Sequence, residues 1–428
     1  MARGFGMAVS LVTVPLALSY LGKEQYGFWS AITSLITWVV LFDFGIANGL
    51  VNSVAQAYGK DDPQAAGGYV STAFFVLTAI ALSLAILIAG VLHRVPWDSV
   101  FAVRGLVDHR LVEWSVAAAI APVVIGMPLS VVRQIYAGYQ KSYVANLFLM
   151  AGSLATLVGM VLGIRFGASL PGLIFVFGGA GLGVSLLNLL HIAKVEMPWL
   201  RPRLSLVSQR AMRRLLETSV PLFLFQLGAL LVNNTQLVLL AHRSGLATVA
   251  EYSILMRLYA LLGGLIILST GSFVPSFREA FERGDHTWMR QGFKRMLALR
   301  MAMATGSAVI LMIAGDWLLG IWLGDVEIRF GFPVWGALAV LMVATTWVTA
   351  FSDLLTIMDR IWIQIAFVLV NGLSTVGLTL WLAPQFQVLG AVVAFGFVTV
   401  SLLSWSLPLS ARVILAVRSR TPTGSLSF

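Results

Sequence analysis

The sequence predicts an all-α polytopic membrane protein with about twelve transmembrane helices in two six-helix halves. Three observations carry that prediction. Of the 428 residues, 59% are hydrophobic and only 11% charged, less than half the roughly 25% charge of a soluble domain. Apolar runs able to cross about 30 Å of hydrocarbon, which takes roughly 20 residues each, recur about twelve times. The longest polar interval, Lys194 to Leu215, divides those runs six and six. With a mean hydropathy of +0.90, a soluble globular enzyme is excluded.

In chain order the first six runs cover residues 5–21, 27–50, 69–92, 112–137, 143–164 and 171–193. The second six cover 216–241, 249–274, 296–321, 331–357, 361–383 and 388–411. This sets an N-terminal bundle at 1–193, a basic cytoplasmic linker at 194–215 and a C-terminal bundle at 216–428. The first run follows Arg3 but has no small-residue cleavage site before Lys23 and Glu24, so it is expected to be a retained helix and not a signal peptide. Placing both termini in the cytoplasm puts Arg3, Lys60, Lys141, Arg201 to Arg214, Arg278 to Arg295, Arg360, Arg412, Arg418 and Arg420 inside. It leaves Lys23, Arg94, Arg104, Arg110, Arg165, Arg243 and Arg329 outside, as the positive-inside rule requires.

The formal charge of +10 is spread thinly over the loops. Nucleic-acid binding needs a concentrated basic face on a soluble body, so none is expected. With no Cys, there is no disulfide framework and no thiolate nucleophile. The five His (His93, His109, His191, His242, His286) lack the spacing of a metal cluster, and no cofactor is expected.

The two halves share a pattern. A shift of 219 residues lays Lys141, Tyr143, Phe148, Leu154 and Thr156 over Arg360, Trp362, Phe367, Leu373 and Thr375. At the start of each half, Gly22 followed by Tyr26 resembles Gly245 followed by Tyr252. Six helices return the chain to its starting side, so the halves would be parallel repeats with a cleft between them.

The stretch Tyr20 to Trp29 (YLGKEQYGFW), with Leu41 to Ala47 (LFDFGIA) and the polar Asn52 to Gln56, resembles the N-terminal signature of bacterial polysaccharide transporters, the O-antigen and exopolysaccharide repeat-unit flippases. Further echoes are Gly245 to Tyr252, Pro275 to Asp285 and Asp353 to Arg360, so the resemblance spans nearly the whole chain. That family belongs with multidrug and toxin extrusion proteins and the lipid II flippase. The resemblance implies two bundles around a central cavity in the bacterial cell membrane. It implies, as cargo, an undecaprenyl-diphosphate-linked oligosaccharide moved from the cytoplasmic to the outer leaflet. Its implied partners are that lipid-linked oligosaccharide diphosphate, membrane lipids, and a polysaccharide polymerase with its chain-length machinery. The chain enters its first helix almost at once, where relatives have a longer basic lead-in, so a shortened entrance is expected.

A diphosphate head group cannot cross hydrocarbon unpaired, and Arg binds phosphate bidentately while keeping its charge. Arg257, inside the eighth run, is therefore the sharpest substrate-binding candidate; the competing readings are snorkelling or a pair with Glu251. Arg300 and Arg133 are further candidates, each close enough to a span end to snorkel. Asn233 and Asn234, in the seventh run near Gln226 and Gln236, either line a sugar path or join helices. Asp43 and Asp353 are candidates for ion coupling, with Asp43 also suited to ordering a Gly-containing helix end and Asp359 to pairing with Arg360. Pro15, Pro122, Pro128 and Pro221 allow bends. Residues 275–295 read as an amphipathic surface helix. A multidrug antiporter would want acidic lining, and a membrane glycosyltransferase would want an Asp-x-Asp motif that the chain lacks.

Overall fold

A computed structural model describes residues 2–101, 103, 108–271, 273–324, 326 and 328–410. Arg104, Arg412, Arg418 and Arg420, which enter the orientation argument, lie outside these residues. The first half comprises α1 (Ala2–Val40), α2 (Ile46–Gly59), α3 (Pro63–Val91), the short α4 (Trp97–Val100), α5 (His109–Gly126), α6 (Ser130–Gly138), α7 (Ser142–Arg165) and α8 (Leu170–His191). The second comprises α9 (Gln209–Asn233), α10 (Thr235–Ser244), α11 (Leu246–Thr270), α12 (Phe273–Glu282), α13 (His286–Leu323), α14 (Phe332–Ile357) and α15 (Ile361–Val398). No strand occurs among the described residues.

Ten helical segments among the described residues are long and apolar enough to cross a membrane. Two are double length, Gly4–Asp43 with 40 residues and Ile361–Ser410 with 50. Straight helices of that size would reach about 60 and 75 Å at 1.5 Å per residue, twice the hydrocarbon thickness or more. Each breaks once, α1 at Gly22 (φ 73°, ψ 172°) and α15 at Gln387 (φ 49°, ψ −123°). Counting each arm separately recovers the twelve passes expected from sequence.

Backbone junctions repeat between the halves. Gly22 (φ 73°, ψ 172°) matches Gly245 (φ 88°, ψ 169°). Asp61 (φ 50°) and Gly284 (φ 72°) each precede an aspartate that caps the next helix. Asp62 accepts from the Ala65 amide at 2.9 Å, and Asp285 from the Trp288 amide at 2.9 Å. Gln140 (φ 59°) and Asp359 (φ 56°) both sit in the left-handed region, directly before Lys141 and Arg360. A non-glycine residue there costs about 1–2 kcal/mol, so its presence at matched positions marks a shared design.

The turns near residues 60, 140 and 359 and the linker lie on one face, here the basic face; the turns at Gly22, Gly167, Gly245 and Gln387 lie on the far face. Towards the far face both halves share one apolar core, in which Phe28, Trp29 and Ile32 join Val249, Ile254 and Leu338. Towards the basic face the cores separate. One holds Leu50, Val70 and Tyr136 together with the fully buried Leu215 of α9, and the other holds Phe277, Leu354 and Leu355. The halves thus share one core at the far face and have two cores towards the basic face, where α9 joins them by packing on α2, with Gly49 against Ser219 and Arg214 donating to Gln56 at 3.2 Å.

Three local expectations change. Residues 275–295 form two helices, not one, because Gly284 turns the chain out of α12 and into α13. Asp359 pairs with Arg278, at 2.9 and 3.1 Å, and not with Arg360. The linker is shorter than its sequence limits, since helical backbone runs on to Glu196 and resumes at Gln209. Its backbone is anchored by Ser71 and Thr72 of α3, which accept from the amides of Arg203 and Ser208.

Candidate substrate cleft

Between the halves lies a cleft of about 300 Å³, walled by the second arm of α1, the α9–α10 junction and α11. The α1 arm contributes Ser30, Thr33, Ser34 and Thr37, and α11 contributes Ser253, Met256, Arg257 and Ala260. Both sets follow the i, i+3, i+4, i+7 spacing that puts residues on one helix face. Asn233 and Asn234 complete the wall where α9 breaks into α10.

The cleft is closed towards the far face. Ser30 and Ser253 share a hydrogen bond of 3.1 Å. At Gly27 the two backbones meet so closely that a Cβ would stand 1.9 Å from the Leu246 carbonyl oxygen. Only glycine allows that approach.

Several lining hydroxyls spend their protons on their own helix. Thr33 donates to the Ser30 carbonyl at 2.9 Å, Ser34 to Ala31 at 2.6 Å and Ser253 to Ala250 at 2.9 Å. Asn233 donates through Nδ2 to the Ala229 carbonyl at 2.8 Å. What the hydroxyls keep for a ligand is acceptor oxygen, and Asn233 keeps its Oδ1 acceptor and one N–H. Tyr252 supplies the complement: its buried hydroxyl has no partner among the described residues. Among the described residues, Arg257 is the one formally charged side chain in the lining, and its Nη1 donates to Ser10 Oγ across the interface at 3.3 Å. It does not pair with Glu251; no carboxylate of the described residues lines the cleft.

Arg257, Asn233 and Asn234 are therefore brought together. Arg300, Asp353, Arg133 and Asp43 lie elsewhere. Arg300, 2% exposed, donates through Nε to Thr270 Oγ1 at 2.8 Å and through Nη1 to Asp353 Oδ2 at 2.8 Å. This ties α11, α13 and α14 together. Asp43 accepts from the Gly45 amide at 2.7 Å and pins the turn in which Phe44 (φ 50°) and Gly45 (φ 72°) are both left-handed. Arg133 is exposed, in a separate cleft within the first half. The Ser/Thr stripe on α1 was not among the sequence candidates, although four hydroxyls at helical spacing in an apolar run were a readable signal.

Residues 1–281 match the family described as polysaccharide biosynthesis protein. A Salmonella typhimurium (strain LT2) protein named as an O-antigen transporter is 20% identical over 420 residues, covering 94% of this chain and 92% of its own length. A Yersinia pseudotuberculosis protein named as an O-antigen export protein is 21% identical, covering 96% and 93%. Among solved structures, an inward-facing multidrug resistance MATE family transporter of the MOP superfamily superposes with a TM-score of 0.81 at 13% identity, covering 97% of this chain and 96% of that one. The lipid II flippase MurJ in an inward closed conformation gives 0.77 at 12% identity, covering 100% and 93%. Those structures share the fold. On the family match and the full-length relatives, the chain belongs to the polysaccharide biosynthesis protein family, as a multi-pass bacterial membrane transporter.

Proposed function

We propose that the chain flips an undecaprenyl-diphosphate-linked oligosaccharide from the cytoplasmic to the outer leaflet of the cell membrane. The observation that carries this reading is the chemistry of the inter-half cleft: one guanidinium, a row of hydroxyl and amide acceptors, and no carboxylate among the described lining residues. An isolated anion within the membrane is strongly disfavoured unless paired, and Arg257 supplies the pairing charge. Sugar hydroxyls need acceptors, which Thr33, Ser34 and Asn233 present. An organic cation would find no counter-charge here.

The basic face is cytoplasmic on the positive-inside rule, with both termini inside. The cleft volume is at the lower end of ligand sites, which run from about 300 to 1,000 Å³, so a whole repeat unit requires the halves to part further. The long Arg257–Ser10 contact links the mechanism to motion: a diphosphate that takes over the guanidinium removes the polar tie between the first arm of α1 and α11 and leaves their apolar packing, as at Met7 and Gly264. The lipid tail stays in the bilayer.

The test is complementation of a repeat-unit flippase-null strain, scoring lipid-linked oligosaccharide on each leaflet, with a polymerase-null control. Wild type restores outward appearance, and Arg257→Ala lowers it about tenfold or more, the rate equivalent of about 1.4 kcal/mol, at normal membrane abundance. Undiminished transport by Arg257→Ala would refute the charge assignment.

A further inference from the structure

We propose a second binding site, within the first half, that takes a sugar ring carrying a phosphate. It is a cleft of about 420 Å³ walled by α5, α6, α7 and α8, with Arg133, Asn188, Ser185, Thr156, Phe148 and Phe177 among its lining. Arg133 and Asn188 lie towards its basic-face end, near the 139–141 turn and the end of α8.

Two observations point to a ligand. Asn188 is only 7% exposed, and its Oδ1 has no hydrogen-bond partner among the described residues. Leaving such a group empty costs about 1–3 kcal/mol. Arg133, on the rim of the same cleft, has no carboxylate within ion-pair distance among the described residues. The cleft thus offers an unpaired cation at its rim and one unsatisfied buried acceptor.

The hydroxyls sharpen the requirement. Ser130 donates to the Met127 carbonyl at 2.7 Å, Ser153 to Leu149 at 3.0 Å, Thr156 to Gly152 at 3.1 Å and Ser185 to Gly181 at 2.9 Å. All four face the cleft as acceptors with their protons already used. A ligand that satisfies them brings several hydroxyl donors together with one negative charge. Inorganic phosphate brings the charge with few donors, and a neutral sugar brings donors without the charge. Phe148 and Phe177 add the apolar faces against which the C–H side of a pyranose packs. The site rests on the proposed function only for the source of its ligand, the glycosyl phosphate end of the cargo; the other source of hydroxylated phosphate is a phosphatidylglycerol head group.

The chain has no Cys, so Ser185→Cys installs a sole thiol whose maleimide labelling reports occupancy in the purified full-length protein. The probes are glucose 1-phosphate, glucose, inorganic phosphate and sn-glycerol 1-phosphate. At concentrations above its Kd, glucose 1-phosphate should slow labelling about threefold or more, the others less than half as much, and Arg133→Gln or Asn188→Ala should abolish the protection. Unchanged labelling, protection that survives both substitutions, or equal protection by inorganic phosphate overturns the proposal. Equal or better protection by sn-glycerol 1-phosphate overturns the glycosyl assignment in favour of a lipid head group. Ser34→Cys, introduced as the sole thiol of a second variant, reports the inter-half cleft independently. Protection there without protection at Ser185 leaves the proposed function standing and removes this site alone.

Discussion

The Arg300–Asp353 pair predicts a specific energetic coupling. Arg300 is 2% exposed, while the Asp353 side chain is 40% exposed and accepts from Nη1 at 2.8 Å. Deleting one partner of a fully buried pair costs about 3–5 kcal/mol, and deleting one from an exposed pair at most about 1 kcal/mol. With one partner buried and the other in partial contact with solvent, Asp353→Ala should cost about 2–3 kcal/mol. Thr270 alone then remains to satisfy the guanidinium, through Nε. Arg300→Met removes both contacts and should cost a similar amount. The double substitution leaves no orphaned charge, so its cost should fall short of the sum by about 1.5–2 kcal/mol. Unfolding by SDS in mixed micelles, followed by the emission of the 13 Trp, measures the cycle. Costs that add to within about 0.5 kcal/mol would refute the tie. The same cycle separates two kinds of arginine: removing Arg300 should act first on stability, and removing Arg257 first on transport.

Other expectations follow from the seams between the halves. Ser30→Cys with Ser253→Cys, whose hydroxyls lie 3.1 Å apart, should crosslink under mild oxidation, hold the far face shut and stop transport until reductant is added; transport that continues in the crosslinked protein would remove this contact from the cycle. Gly27→Val drives a side chain into the Leu246 carbonyl, which a Cβ alone would approach to 1.9 Å; far-face thiol accessibility at residue 34 should rise, and an unchanged labelling rate would count against the seal. Gln140→Gly should stabilise the protein by about 1 kcal/mol by relieving the left-handed backbone, whereas Asp359→Gly should be near neutral, because it also gives up the Arg278 pair. A melting comparison of the two variants reads the difference.

The membrane class, the twelve passes and the two-half arrangement were legible because hydrocarbon thickness imposes run length and turn chemistry repeats. Where two passes merge into one long helix was not, since a single residue such as Gln387 reverses the course of the chain without any change in hydropathy. Arg257, Asn233 and Asn234 were legible as polar residues in apolar runs, and they do share a cleft. Arg300 gave the same sequence signal yet lies on Thr270 and Asp353. Helical spacing says which residues share a face; it does not say which helix that face meets. Phe44 and Gly45 show the same limit at Asp43, whose carboxylate is used by a backbone amide two residues away.

The composition of the far-face seam has a mechanical consequence. Gly27 and Ser30 meet Leu246 and Ser253 through backbone contact and one neutral hydrogen bond, a bond worth about 0.5–1.5 kcal/mol net. Interdigitated leucines at the same place would add about 1.5–3 kcal/mol for each buried side chain, and every outward opening would have to overcome that. Small residues let the two backbones meet closely, while the energy that an outward opening must overcome lies in the shared core beside them. The large side chains, Phe28, Trp29 and Ile32 on α1 and Val249, Ile254 and Leu255 on α11, flank the seam and supply the shared core. On this division of labour, Ser30→Leu, at a position 3% exposed, should overpack the seam as Gly27→Val does and favour outward opening. Labelling of Ser34→Cys from the far face would then rise in the absence of ligand, and an unchanged rate would show that the small residues of the seam do not set how tightly it closes.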